Sequence, residues 1–77
     1  MTPASALPAT IALTINGERR DIAAPATLAA LLARLALDPR LVVIEHNRVI
    51  LRDREAYAAI DLADADVLEL VHFVGGG

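Results

Sequence analysis

Apolar and polar positions alternate between Thr10 and Ile15. Ile11, Leu13 and Ile15 fall on one side, Ala12 and Thr14 on the other. A period of two predicts a half-buried strand, because successive strand side chains point to opposite faces. Asn16-Gly17 follows, and both residue types tolerate positive φ, so the chain is predicted to turn back as a hairpin. ERRDIAA then reads as the returning strand, with Ile22 in the core and Pro25 breaking it. The period now changes. Leu28, Leu31, Leu32 and Leu35 recur at helical spacing, alanines fill the intervening positions, and Thr27 stands where an N-cap is needed. This predicts an amphipathic helix packed by its leucine stripe and ended by Asp38-Pro39, since proline disfavours the α conformation before it. RLVVIEHN is β-branched and apolar, a third strand, and His46-Asn47-Arg48 a tight turn into a short strand, VIL. The polar stretch after it is predicted to hold a helical turn around Glu55 to Ala58. Tyr57 packs there with its hydroxyl toward water. VLELVHFV is the last strand.

Strand, hairpin, strand, helix, strand, strand, short helix, strand is an α+β order. At 77 residues there is room for one small domain in which one main helix covers one face of a mixed four- to five-stranded sheet. Residues 1–9, with Pro3 and Pro8, read as a flexible leader, residues 10–74 as the domain, and Gly75, Gly76 and Gly77 as a flexible tail. If Leu68 and Leu70 face the helix, Val67, Glu69, Val71 and Phe73 face away from it. A one-helix domain leaves that second face open. An apolar row there is a candidate docking patch, made of Phe73 and Val71 and joined by Val43 if the register allows. The competing arrangement is a loop or the leader folded over it.

Composition narrows the function. There is no cysteine, which excludes disulfides and cysteine-ligated zinc and suits the cytoplasm. The formal net charge is -3, and all seven basic residues are scattered arginines. Nucleic acid is therefore set aside, because it demands a concentrated basic face. A mildly acidic surface fits a basic protein partner instead. No segment approaches the ~20 apolar residues of a membrane span, and the first residues lack the features of a signal peptide.

Candidate chemistry is sparse. His46 and His72 lie far apart, outside any metal-spaced cluster, and read as surface strand or turn residues. Asp61, Asp64, Asp66 and Glu69 are close in sequence, but the spacing is wrong for a calcium loop, so they read as a solvated turn. No phosphate-binding loop, dinucleotide fingerprint or catalytic triad is present. The chain reads as a non-enzyme that binds no metal and no cofactor of its own. What remains is the end, VHFVGGG. Glycines without Cβ atoms make the thinnest possible thread, and three extended residues reach roughly 10 Å. The reactive group of such a thread is the C-terminal carboxylate of Gly77. A carboxylate is a poor acyl donor until it gains a better leaving group. No ATP site is visible in the sequence, so activation would fall to another protein. An ordinary frayed terminus is the competing interpretation.

TINGERRDI, TLAALLARL, VVIEHNRVI and DADVLELVHFVGGG together resemble the sulfur-carrier proteins of thiamine biosynthesis (ThiS), small ubiquitin-like β-grasp proteins. The resemblance runs from about Thr10 to Gly77. Its most specific parts are the closing VHFVGGG and the turn Glu45-His46-Asn47. It implies that a partner E1-like adenylyltransferase of the ThiF type uses ATP to adenylate Gly77. A cysteine-desulfurase relay then converts the glycine to a thiocarboxylate, and a thiazole synthase of the ThiG type takes the sulfur. Gly75 and Gly76 carry over as the part that threads the partner's active site. The sequence departs from the family at Asp64-Ala65-Asp66, where a glycine is common in the middle; the alanine implies a turn that is not left-handed. Related β-grasp carriers for molybdopterin, tRNA thiolation or another metabolite are an alternative. A non-carrier β-grasp interaction module is another.

Overall fold

The computed structural model describes residues 9–73. The leader up to residue 8, Val74 and the tail glycines Gly75, Gly76 and Gly77 lie outside the described residues. Strand β1 spans Ala9–Ile15, one residue earlier than expected, and β2 spans Glu18–Ala24. The helix α1 is Leu28–Arg34, followed by β3, Val42–His46, β4, Val49–Leu51, and β5, Val67–His72. Short 3₁₀ helices cover Pro39–Leu41 and Arg54–Ala59. The five strands form one mixed sheet in the order β2-β1-β5-β3-β4, and only β1 and β5 run parallel. The last strand in sequence is thus the middle strand in space.

The alternation of β1 acts as predicted: Leu13 is fully buried, with Ile11 and Ile15 nearly so. They meet Leu28, Leu31 and Leu32 of α1, Ile44 of β3 and Leu68 and Leu70 of β5 in one core. Asn16 (φ 51) and Gly17 (φ 84) make the predicted turn. Thr27 caps α1 by accepting the Ala30 N–H on its hydroxyl oxygen at 3.1 Å.

Several expectations need correction. The helix does not run to Asp38-Pro39. It stops at Leu35, because Ala36 takes a left-handed φ of 57°. The Leu37 N–H then donates to the Leu32 carbonyl at 2.9 Å, and that of Ala36 to Ala33 at 3.1 Å. These are the two bonds of a Schellman stop, here formed without glycine. Leu35 is consequently only half-buried. Asp38 instead caps the first 3₁₀ helix, accepting the Arg40 N–H at 2.9 Å. His46 belongs to β3, and the turn after it is Asn47-Arg48, both at positive φ. Ala65 is left-handed at φ 72, against the expectation from its side chain. Its turn is pinned from outside: the Ala65 N–H donates to the Ala12 carbonyl at 2.7 Å, and Asp64 Oδ1 accepts the Ala12 N–H at 2.7 Å. Tyr57 does pack as expected, 3% exposed and part of the core.

Candidate functional site

β5 carries the chain toward its glycine end, so what holds β5 sets where that end begins. The strand is clamped by two asparagines, each sitting left-handed in a turn where asparagine is tolerated. β1 pairs with β5 only as far as Ile15 and Leu68. Beyond that point the side chain of Asn16 takes the place of a strand neighbour. Its Oδ1 accepts the Leu70 N–H at 2.7 Å and its Nδ2 donates to the Leu70 carbonyl at 3.1 Å. On the other side, Asn47 Oδ1 accepts the Val67 N–H at 2.8 Å, and its Nδ2 donates to Asp66 Oδ1 at 3.0 Å.

Asp66 is the centre of this second clamp. Its place in a run of acids predicts a solvated turn, but only 8% of it is exposed. Its Oδ2 accepts the Ala63 N–H at 2.9 Å and lies 2.8 Å from His46 Nε2. Burial pushes its acid strength down, but the bonds from Asn47, His46 and Ala63 favour the carboxylate more, and the net direction is a lowered pKa. His46 is correspondingly half-buried and partnered rather than a free surface residue; His72 is exposed. No signal in the sequence marked Asp66 apart from the neighbouring acids. Recognising it needs the β3–β4 turn brought beside the start of β5.

The other end of β5 is built differently. Phe73 follows the strand, and its N–H donates to the Leu41 carbonyl at 2.7 Å. Leu68 and Leu70 face the core, while Val67, Val71 and Phe73 are 43%, 56% and 55% exposed on the opposite face. Val43 is the strand partner of Val71, so the register unites the two candidate docking residues, and Ile50 adds a further exposed apolar side chain. Among the described residues the apolar row is uncovered. Where Gly75, Gly76 and Gly77 go is outside them.

Beside Phe73 lies a groove of about 290 Å³ that sequence reasoning missed, with Arg40, Arg52 and Arg54 on its walls. Arg40 is tied to Asp38 at 2.7 Å and holds that carboxyl down to about 2, chiefly through its side-chain hydrogen bonds. The RDRE run was visible in the sequence, but its convergence with Arg40 depends on how β4 leads into the second 3₁₀ helix. Among the described residues no three metal-ligating side chains converge, and no helix is long and apolar enough to cross a membrane.

Comparison with known proteins gives this geometry its context. The model of the ThiS family matches residues 13–77. A thiazole synthase of Paramagnetospirillum magneticum is 45% identical over 65 residues, which cover 84% of this chain. That match takes in 20% of the relative, and a second thiazole synthase, from Magnetococcus marinus, is matched over 19% of its length. The chain therefore spans about a fifth of these two proteins. The sulfur carrier protein ThiS of Bacillus subtilis is 45% identical over 51 residues, 66% of this chain and 76% of that one. Among solved structures, a thiamine biosynthesis protein (ThiS) from Geobacter metallireducens superposes with a TM-score of 0.72 at 33% identity, over 87% of this chain and 100% of its own.

Proposed function

The chain belongs to the ThiS family of thiamine-biosynthesis sulfur carriers, and from that premise we propose that Gly77 is the group that carries the sulfur. The observation that carries the proposal is the continuity of the family match through residue 77, with the glycines following the middle strand of the sheet. In the proposed reaction the Gly77 carboxylate attacks the α-phosphorus of ATP in a partner E1-like enzyme of the ThiF type, and pyrophosphate leaves. The acyl adenylate has what the carboxylate lacks, a good leaving group. A persulfide from a cysteine-desulfurase relay then displaces AMP to form an acyl disulfide, and a second thiol of the relay attacks its outer sulfur, releasing the C-terminal thiocarboxylate and leaving a disulfide on the relay. ATP is bound by the partner throughout, and this chain acts as a protein co-substrate in the cytoplasm.

Gly75 and Gly76 serve as the thread that lets Gly77 enter the partner's active site, since any Cβ would widen it. Phe73, Val71 and Val43 serve as the docking surface at its base. The acceptor of the sulfur is a thiazole synthase of the ThiG type. Two thiazole synthases that contain a segment similar to this chain support that pairing.

The test is a mass measurement. With ATP, the E1-like enzyme and a sulfur source, the chain gains the mass difference between sulfur and oxygen, and fragmentation maps the gain to Gly77. Deleting Gly77 abolishes the gain and leaves the fold unchanged, because the carboxylate then falls about 3.3–3.6 Å short of the nucleotide. Equal thiolation of the parent and the deletion variant would refute the assignment.

A further inference from the structure

The groove beside Phe73 is built at the rim of the sheet, where β3 begins, β4 leads into the second 3₁₀ helix and β5 ends. Val42 and Tyr57 line it from the core side, and Val43, Ile50 and Phe73 from the open side. Arg40, Arg52 and Arg54 complete its walls. Two of the acids nearby are engaged. Asp38 holds Arg40 at 2.7 Å, and Asp53, between the other two arginines, accepts the Glu55 N–H on its Oδ1 at 3.1 Å. Glu45, across the strand pair from Ile50, and Glu55 form no ion pair among the described residues. Arg52 and Arg54 are exposed and have no acidic partner among those residues either. A cavity of about 290 Å³ thus sets two uncommitted guanidinium groups against apolar walls. That chemistry fits a carboxylate, which guanidinium binds with charge-assisted hydrogen bonds.

We propose that this groove is the resting site of the chain's own C-terminal carboxylate, that of Gly77. Phe73 is both a wall of the groove and the residue from which the tail departs. The four residues after it reach roughly 13 Å, so the carboxylate is never far from Arg52 and Arg54. The chain must reverse at the strand end to bring it there. A type II turn does this with φ > 0 at its third residue, which favours glycine. In Phe73-Val74-Gly75-Gly76 that residue is Gly75. So short a tether keeps the carboxylate at an effective concentration of about millimolar, which fills a two-arginine site of modest affinity. A thiocarboxylate carries the same single negative charge and rests there in the same way. The loaded end is then withheld from solvent between the enzyme that loads it and the one that unloads it, and only the released fraction can thread a partner. This role in sulfur transfer rests on the carrier proposal above.

The experiment uses the full, isotope-labelled chain by itself, in nuclear magnetic resonance at about pH 6.5, where the carboxylate is ionised. The Gly76 and Gly77 amides show positive heteronuclear NOEs in the parent. Arg52→Gln combined with Arg54→Gln turns them negative, as at a free terminus, and raising the salt from 50 to 500 mM does the same by screening the pair. Gly75→Ala weakens them by removing the turn. Arg34→Gln, on α1 across the sheet, leaves them unchanged. The NOEs are equal at 50 µM and 1 mM chain; a rise with concentration would put a second copy's carboxylate in the groove and overturn the proposal. In the thiolated chain a sulfonyl azide, which reacts with thiocarboxylates, labels the double variant at least threefold faster than the parent. If the parent's glycine NOEs already match those of the double variant, or the labelling rates are equal, the resting site falls, and thiolation of Gly77 leaves the carrier proposal standing. If Gly77 is never thiolated, the carrier proposal falls, and NOEs that depend on Arg52 and Arg54 still uphold the resting site.

Discussion

The two faces of β5 differ sharply in exposure. On one, Leu68 and Leu70 are 0% and 8% exposed against α1; on the other, Val67 and Val71 stand 43% and 56% exposed, with Phe73 beyond them. Both faces carry apolar side chains, with Glu69 interrupting the second. The difference is that a single helix can cover only one side of a five-stranded sheet. The covered face makes the domain stable, and the uncovered face is available to a partner. The same strand therefore couples the core to the point where the glycine end begins.

The largest effect that would break this contrast comes from the covered face. Leu68→Ala is expected to cost ~2–5 kcal/mol through the cavity it leaves, a large part of the ~5–15 kcal/mol that a domain has in total. Denaturant unfolding checks it. A loss no larger than that of Val71→Ala would show that the two faces are energetically alike.

A smaller loss is expected at the start of the strand. Asp66→Ala leaves the Ala63 N–H and the Asn47 amide without their partner, at about 1–3 kcal/mol. The folded Asp66 has a lowered pKa, so the stability it contributes is present above the ordinary carboxylate value of 3.8 and disappears as pH falls through the lower folded value. Unfolding curves for the parent and Asp66→Ala should thus run apart above that window and draw together below it. Parallel curves throughout would show that the carboxylate form is not favoured by folding.

Strain in the two left-handed alanines predicts gains of similar size. Ala36→Gly and Ala65→Gly each relieve a positive φ, at 57° and 72°, and should stabilise by about 1 kcal/mol. A fall in melting temperature for either would mean that the methyl group contributes packing that outweighs the strain.

The smallest change in stability belongs to the uncovered face. Phe73→Ala should alter unfolding by no more than about 0.5 kcal/mol, yet raise KM for the adenylating enzyme, as expected of an aromatic anchor at an interface. A marked loss of stability with an unchanged KM would assign Phe73 to the core and remove it from the docking surface.

Much of the fold is legible in the chain alone because it follows from periodicity. The two-residue alternation of Ile11, Leu13 and Ile15, the helical spacing of Leu28, Leu31 and Leu32, and Asn16-Gly17 each encode local geometry in neighbouring residues. The parity of β5 likewise separates Leu68 and Leu70 from Val67, Val71 and Phe73 by spacing alone. What escaped is what depends on distant partners. Asn16 reads as a turn residue, and nothing nearby says that its amide will complete the edge of β5 at Leu70. Asp66 reads as one acid among several until the β3–β4 turn brings His46 and Asn47 to it. Ala65 reads as right-handed, because the bond from its N–H to Ala12 comes from another strand. Local spacing determines which face of each element is apolar, since side-chain direction repeats with the backbone. Tertiary structure decides which apolar face stays uncovered and which charges meet, since both depend on strand order, and the order β2-β1-β5-β3-β4 places the last strand in the middle.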